Sequence, residues 1–156
     1  MKYLGIAFAV ASLFAFVRLY VADLKKRSLC YTEISRLAEH IGERLKTERA
    51  PLKTLCRGFE CAELRACGFF EYAIERGDVK GGVDRLTVDG SDKSAISEFL
   101  CEFGSGYLDT ELKRAARLSE HLAKRSAEER EGCASRIRVA RLLFGSFVLA
   151  LCLLCV

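Results

Sequence analysis

The sequence predicts an all-α protein: a helical bundle of five to six helices, with N-terminal and C-terminal transmembrane helices continuous with long soluble helices. Three observations carry that prediction. Charge is nearly absent from both ends: of 25 basic residues only Lys2 and Arg18 precede Asp23, none follows Arg141, and all 21 acidic residues lie from Asp23 to Arg141. Within that middle stretch, apolar residues recur every three or four positions, the period of a helix with one buried face. The single proline is Pro51, so little else in the chain breaks a long helix. The expected division is residues 1–22 as a transmembrane helix, 23–141 as a cytoplasmic helical bundle, and 142–156 as a second transmembrane helix. The bundle holds 23 basic against 21 acidic residues, too even a balance for a nucleic-acid surface.

Tyr3 to Ala22 is the first expected span. As a helix it rises about 30 Å, which matches the hydrocarbon thickness of a bilayer. Arg18 sits near its inner end, where a long alkyl stem carries the charge to the headgroups. A cleaved signal peptide is the competing reading. Lys2 is a thin positive start, the apolar run is long and no Ala-x-Ala follows, so a retained anchor is favoured.

Leu142 to Val156 is the second expected span. It carries no charged side chain and no polar stripe, unlike a helix at the edge of a core. It rises about 22 Å, and about 27 Å when Val139 to Arg141 are included. Lys25, Lys26 and Arg27 follow the first span, and Arg136, Arg138 and Arg141 precede the second. Basic residues favour the cytoplasmic side. The bundle is therefore expected in the cytoplasm, with both termini on the far side of the cell membrane.

Asp23 to Thr47 reads as a helix running on from the first span. Cys30, Ile34, Leu37, Ile41 and Leu45 make one apolar stripe, and Lys26, Glu33, Arg36 and Glu43 lie opposite it. Gly42 weakens this helix by about 1 kcal/mol relative to alanine. It is expected to end before Pro51, because the residue preceding proline is pushed from the α region. Pro51 suits the first turn of the next helix. Leu52, Leu55, Phe59, Leu64 and Phe69 supply apolar groups through one or two helices to Arg76, with a break at Gly68. Phe69, Phe70 and Tyr72 form the densest aromatic cluster and read as a core wedge.

Gly77 to Asp92 reads as a long turn-rich connection, with Gly81-Gly82 and Asp89-Gly90 freeing the backbone. Ser91 or Asp92 caps a helix to Phe103, whose inner face is Ala95, Ile96, Phe99, Leu100 and Phe103. Gly104 ends it in the left-handed conformation. Asp109 or Thr110 then caps one uninterrupted helix to the C-terminus. Along it Leu112, Ser119, Ser126, Cys133 and Ala140 recur every seven residues, with Ala116, Ala123 and Ile137 between. This stripe of mostly small residues predicts a close antiparallel partner, and Asp23 to Thr47 is the segment that leaves the same membrane face. His40 and His121 fall one on each of these helices, and a metal pair or pH switch between them is a minor reading beside ordinary exposed or core histidines.

No catalytic constellation is legible. The sequence holds no HExxH, no glycine-rich nucleotide loop and no nucleophile-histidine-acid spacing. The eight cysteines are read as reduced, buried hydrophobes: Cys56, Cys61 and Cys67 are spaced too widely for a zinc knuckle, and the Cys152/Cys155 pair lies in the apolar tail. No enzyme activity, cofactor, metal site or nucleic-acid partner is expected. Two anchored ends around a helical bundle suit a docking platform, with self-association between copies. A membrane-tethered helical sensor or adaptor is the alternative.

Several short patterns together carry a resemblance. They are an N-terminal span leading into a long helix, Pro51-Leu52, Phe103-Gly104, Asp109 at the head of a charged helix, and Leu143-Phe144-Gly145 before an apolar tail. With these the chain resembles the stage III sporulation protein AB family of endospore-forming bacteria, over nearly its whole length. Ser105-Gly106-Tyr107-Leu108 departs from that family's Leu-Gly pattern, Lys113 stands where glutamine is common, and the family's tryptophan is absent. The chain is also short around Gly77 to Asp92. That family is similar to the cytoplasmic domain of the inner-membrane platform proteins of type II secretion and type IV pilus machines. The resemblance implies a platform in the complex between mother cell and forespore. It implies partners among other stage III proteins, including a cytoplasmic secretion-type ATPase.

Overall fold

The computed structural model describes residues 2–154, with side chains at 8 and 10–150. It is all-helical, and no strand occurs among the described residues. In order come α1 (Lys2–Thr47), α2 (Leu52–Leu55), α3 (Ala62–Ala66), a π-helical segment (Phe70–Glu75), α4 (Val79–Asp84), α5 (Gly90–Glu102) and α6 (Leu108–Leu154). The chain divides into two units: Lys26–Glu128, and Met1–Lys25 together with Glu129–Val156.

In the unit Lys26–Glu128, the α1 stripe is buried as the periodicity requires. Cys30, Ile34, Leu37, Ile41 and Leu45 all face the core, joined by Tyr31 and Ala38. Residues of α1 and α6 pair antiparallel here. The Thr32 and Ser126 hydroxyls meet at 2.8 Å, and Ser35 Oγ donates to the Ser119 carbonyl at 3.2 Å. Gly42 faces Ala115 so closely that an added Cβ would stand 3.4 Å from the Ala115 Cβ. The glycine that costs helix propensity is thus where the two backbones draw together.

The buried row on α6 keeps Ser126 and Cys133 of the expected stripe but not the alanines expected between its members. Ala116 and Ala123 are exposed, while Ala115, Leu118 and Leu122 are buried. A strict seven-residue stripe suits one partner helix, but α6 also has α5 beside it: Arg114 of α6 pairs with Glu102 of α5 at 3.1 Å. Its buried face is therefore wider and rotated.

The segment between α1 and α5 is broken by glycines. Gly58, Gly68 and Gly77 within it, and Gly104 beyond α5, have φ of 83°, 82°, 76° and 85°, a region where a side chain is strained. Gly104 ends α5 as expected. Residues 52–76 form two short helices and a π-helical segment. Phe69 is fully buried, as a core wedge should be, whereas Phe70 and Tyr72 are only half-buried. Guanidiniums of Arg76 and Arg85 lie over the Tyr72 ring at 4.5 and 3.9 Å.

The expected turn-rich connection from Gly77 to Asp92 contains a helix. The Asp78 carboxylate accepts from the Gly81 amide at 3.0 Å and caps α4. Val83, Leu86 and Val88 are buried. A Cβ at Gly82 would stand 2.5 Å from the Ala73 Cβ and 2.7 Å from its amide nitrogen. Glycine is needed at Gly82 for contact between α4 and the π-helical segment, and not for a turn.

Helix α5 begins at Gly90, after Asp89, so neither Ser91 nor Asp92 caps it. Helix α6 begins at Leu108, with Asp109 in its first turn. The Glu111 carboxylate reaches back to accept from the Gly106 amide at 3.1 Å, which stabilises an exposed helix start.

In the other unit, Phe14 and Phe144 meet at 5.9 Å between ring centroids. Leu24 and Cys133 are buried, but Phe8, Phe16, Leu19, Leu142, Leu143 and Leu149 are exposed. Among the described residues no helix is long and apolar enough to cross a membrane. The two expected transmembrane helices, 1–22 and 142–156, therefore find no support there. The apolar stretches with described side chains, Val10 to Ala22 and Leu142 to Ala150, are shorter than the roughly 20 residues that a span needs. Side chains 1–7 and 151–156, including Cys152 and Cys155, lie outside the described residues.

Candidate functional site

Asp92, at 2% exposure, is the centre of a buried charged cluster. A lone buried carboxylate is costly unless it is hydrogen-bonded and paired. Here α1 and α6 supply the partners. From α1, the Tyr31 hydroxyl donates to Asp92 Oδ2 at 2.6 Å. From α6, His121 Nε2 lies 2.8 Å from Oδ1 and Arg125 Nε lies 3.3 Å from Oδ2.

A second carboxylate extends the cluster. Asp89 takes Arg125 on one oxygen and Arg27 on the other at 2.8 Å. Its amide donates to the Tyr31 hydroxyl at 2.9 Å. The Arg125 guanidinium also lies over the Tyr31 ring at 5.9 Å. Arg27, read from sequence as part of a membrane-flanking basic run, is engaged with Asp89 within the bundle.

Burial pushes the Asp92 carboxyl up, but the hydrogen bonds from Tyr31, His121 and Arg125 outweigh it and leave the group below its ordinary range. Burial pushes the Tyr31 phenol up to about 12; the Asp89 amide opposes that and the two carboxylates add to it. Hydrogen bonding to Asp92 raises Arg125 further. At neutral pH the cluster thus holds a charged carboxylate, a neutral phenol and a charged guanidinium. Both Asp92 oxygens are occupied, and the Tyr31 hydroxyl both donates and accepts. Chemically this is a latch that ties the start of α5 to α1 and α6.

Two charged residues of α1 serve neighbouring helices. The Glu33 carboxylate accepts from the amides of Ala62, Glu63 and Leu64 at 3.1, 3.3 and 3.0 Å. It caps the N-terminus of α3, where the helix dipole favours an anion. Arg44 donates to the carbonyls of Thr54, Leu55 and Arg57 at 3.3, 3.4 and 3.0 Å, at the C-terminal end of α2. Each capping charge has the sign that its helix end attracts.

The residues singled out by the family resemblance do not converge on one site. Pro51 is the N-cap of α2 and Leu52 packs half-buried behind it. Phe103 is half-buried and meets Phe99 edge-on at 5.8 Å. Gly104 and Asp109 lie at the α5–α6 turn, Asp109 exposed. Phe144 packs on Phe14 in the other unit, and Gly145 faces open space. The two histidines do not meet: His121 binds Asp92, and His40 packs on the Phe59 ring at 5.2 Å.

Cys30, Cys56, Cys61 and Cys133 are free and buried. Burial pushes the Cys30 and Cys56 thiols up to about 11 and about 12, which suppresses the reactive thiolate. Among the described residues no group of three or more His, Cys, Asp or Glu is placed to hold a metal ion.

Sequence reasoning missed the Asp92 cluster, yet one signal was present. Asp92 is four residues before Ile96, on the face that buries Ile96, Phe99 and Leu100. An acid in register with an apolar face must be buried, capped or paired. No protein-family model, curated protein or solved structure matches the chain. The fold and cluster define it as an all-helical bundle latched by a buried ionic network.

Proposed function

We propose that the chain is a non-enzymatic platform, held at the cell membrane by residues 1–22 and 142–156, with its bundle in the mother-cell cytoplasm and both termini on the far side. On this reading the bundle docks a cytoplasmic secretion-type ATPase within a stage III sporulation complex. The observation that carries it is the exposed apolar surface of the unit formed by the chain's two ends. Phe8, Leu19, Leu142 and Leu149 are 76%, 71%, 68% and 63% exposed, and exposed apolar surface of this kind marks lipid or partner contact. The resemblance to the stage III family supplies the complex and the ATPase, and the basic residues Lys25, Lys26, Arg136, Arg138 and Arg141 supply the orientation.

Fractionation of cells making the full chain tests the membrane reading. The chain should remain with membranes after high-salt and alkaline washes, and recovery in the soluble fraction would overturn it. A cytoplasm-only reporter fused at the C-terminus should be silent; activity would reverse the orientation. For the complex, deletion of the gene in a spore-former should block development after engulfment, and normal spore yield would count against it.

A further inference from the structure

Arg18, Lys25 and Arg141 line a single groove of about 430 Å³ in the unit formed by the two ends of the chain. Phe14, Val17 and Phe144 supply its apolar wall, and none of its lining residues is acidic. Arg18 and Lys25 stand two helical turns apart on α1, so they share a face. Arg141 comes from α6, near the point where Phe144 packs on Phe14. The Arg18 guanidinium also lies 5.9 Å from the Phe14 ring centroid, which places cation and apolar wall together.

We propose that this groove binds one anionic phospholipid, with the headgroup phosphate among Arg18, Lys25 and Arg141 and an acyl chain along Phe14, Val17 and Phe144. The inference rests on the membrane reading above and adds a specific lipid class to it. Charge complementarity selects the occupant. Three cations without an acid attract a phosphate and disfavour a zwitterionic headgroup, whose own ammonium would meet like charge. A basic pocket between helices with an apolar wall matches an anionic lipid with its two chemical halves. A second copy of the chain would bring the same three cations to face themselves. The arginines therefore do more than reach passively to the headgroup layer.

The test is native mass spectrometry of the full chain in nonionic detergent, titrated with phosphatidylglycerol and, separately, with phosphatidylcholine. One phosphatidylglycerol should be retained per chain, with phosphatidylcholine retained several-fold less. Arg141→Gln and, independently, Lys25→Gln should each weaken phosphatidylglycerol retention roughly five-fold. Arg138→Gln removes the same charge from the same helix outside the groove and should change little. Equal retention of the two lipids, an Arg138→Gln loss equal to that of Arg141→Gln, or a lipid-free dimer would each overturn the site. A chain that stays with membranes on fractionation yet shows no lipid selectivity loses only this inference. A chain that leaves the membrane fraction loses the membrane reading itself.

Discussion

The Tyr31 hydroxyl and the Asp92 carboxylate, distant in sequence and both buried, are joined by a hydrogen bond of 2.6 Å. Tyr31 projects from α1 and Asp92 sits in the first turn of α5. Removing the hydroxyl deprives Asp92 of one donor and the Asp89 amide of its acceptor. Tyr31→Phe should therefore cost about 1.5–3 kcal/mol, the range for a hydrogen bond to a charged group. Chemical denaturation of the full chain, followed by circular dichroism, would show the lowered midpoint. An unchanged midpoint would mean that the latch contributes little.

The same cluster sets a pH dependence at both ends of the scale. Folding lowers the Asp92 carboxyl from its ordinary 3.8, so the unfolded chain binds the proton more readily. Its contribution is full above about pH 4 and is lost as pH falls through the depressed value. Folding raises Tyr31 of the cluster to about 12 from an ordinary 10.0, and burial elsewhere in the bundle raises Cys56 to about 12 from 9.0. Their contribution is full below those ordinary values and is lost as pH rises toward 12. Denaturation midpoints should be flat near neutrality and fall on both sides. In Asp92→Asn the acid limb should shrink, and an acid limb identical to wild type would remove Asp92 as its cause.

Glu33 offers a test of capping between helices. Glu33→Ala leaves three amides of α3 without their acceptor and should cost about 1–2 kcal/mol, as loss of an N-cap does. Glu33→Gln keeps an oxygen acceptor but loses the charge, so it should cost less. Hydrogen exchange at Ala62, Glu63 and Leu64 should accelerate in Glu33→Ala. Unchanged exchange at these amides would show that the cap is not made in solution.

Two glycines should respond to alanine in opposite directions. At Gly82 the new Cβ meets the backbone of Ala73, and the forced shift should cost about 1–3 kcal/mol. At Gly132, inside α6, a Cβ meets nothing within 4 Å, and the gain in helix propensity is up to about 1 kcal/mol. Thermal melts of Gly82→Ala and Gly132→Ala should move to opposite sides of wild type. A stabilised Gly82→Ala would refute the close approach of α4 to the π-helical segment.

Sequence by itself determined the helical class, the buried stripe from Cys30 to Leu45, the antiparallel pairing of α1 with α6 and the left-handed Gly104. The class, the stripe and Gly104 are local matters of period or backbone freedom, and the pairing follows from the small residues, Ser119 and Ser126 among them, spaced along α6 to meet α1. Only the tertiary structure decided which individual side chains meet across helices. It turned Glu33 from a solvated charge into the cap of α3, buried Ala115, Leu118 and Leu122 of α6 in place of Ala116 and Ala123, and folded 79–84 into a helix within an expected connection. It also took Asp92 from a helix cap into the core. The physical reason is common to all four. A side chain's energy depends on which donors, acceptors and apolar surfaces other elements bring to it, and sequence spacing does not record that.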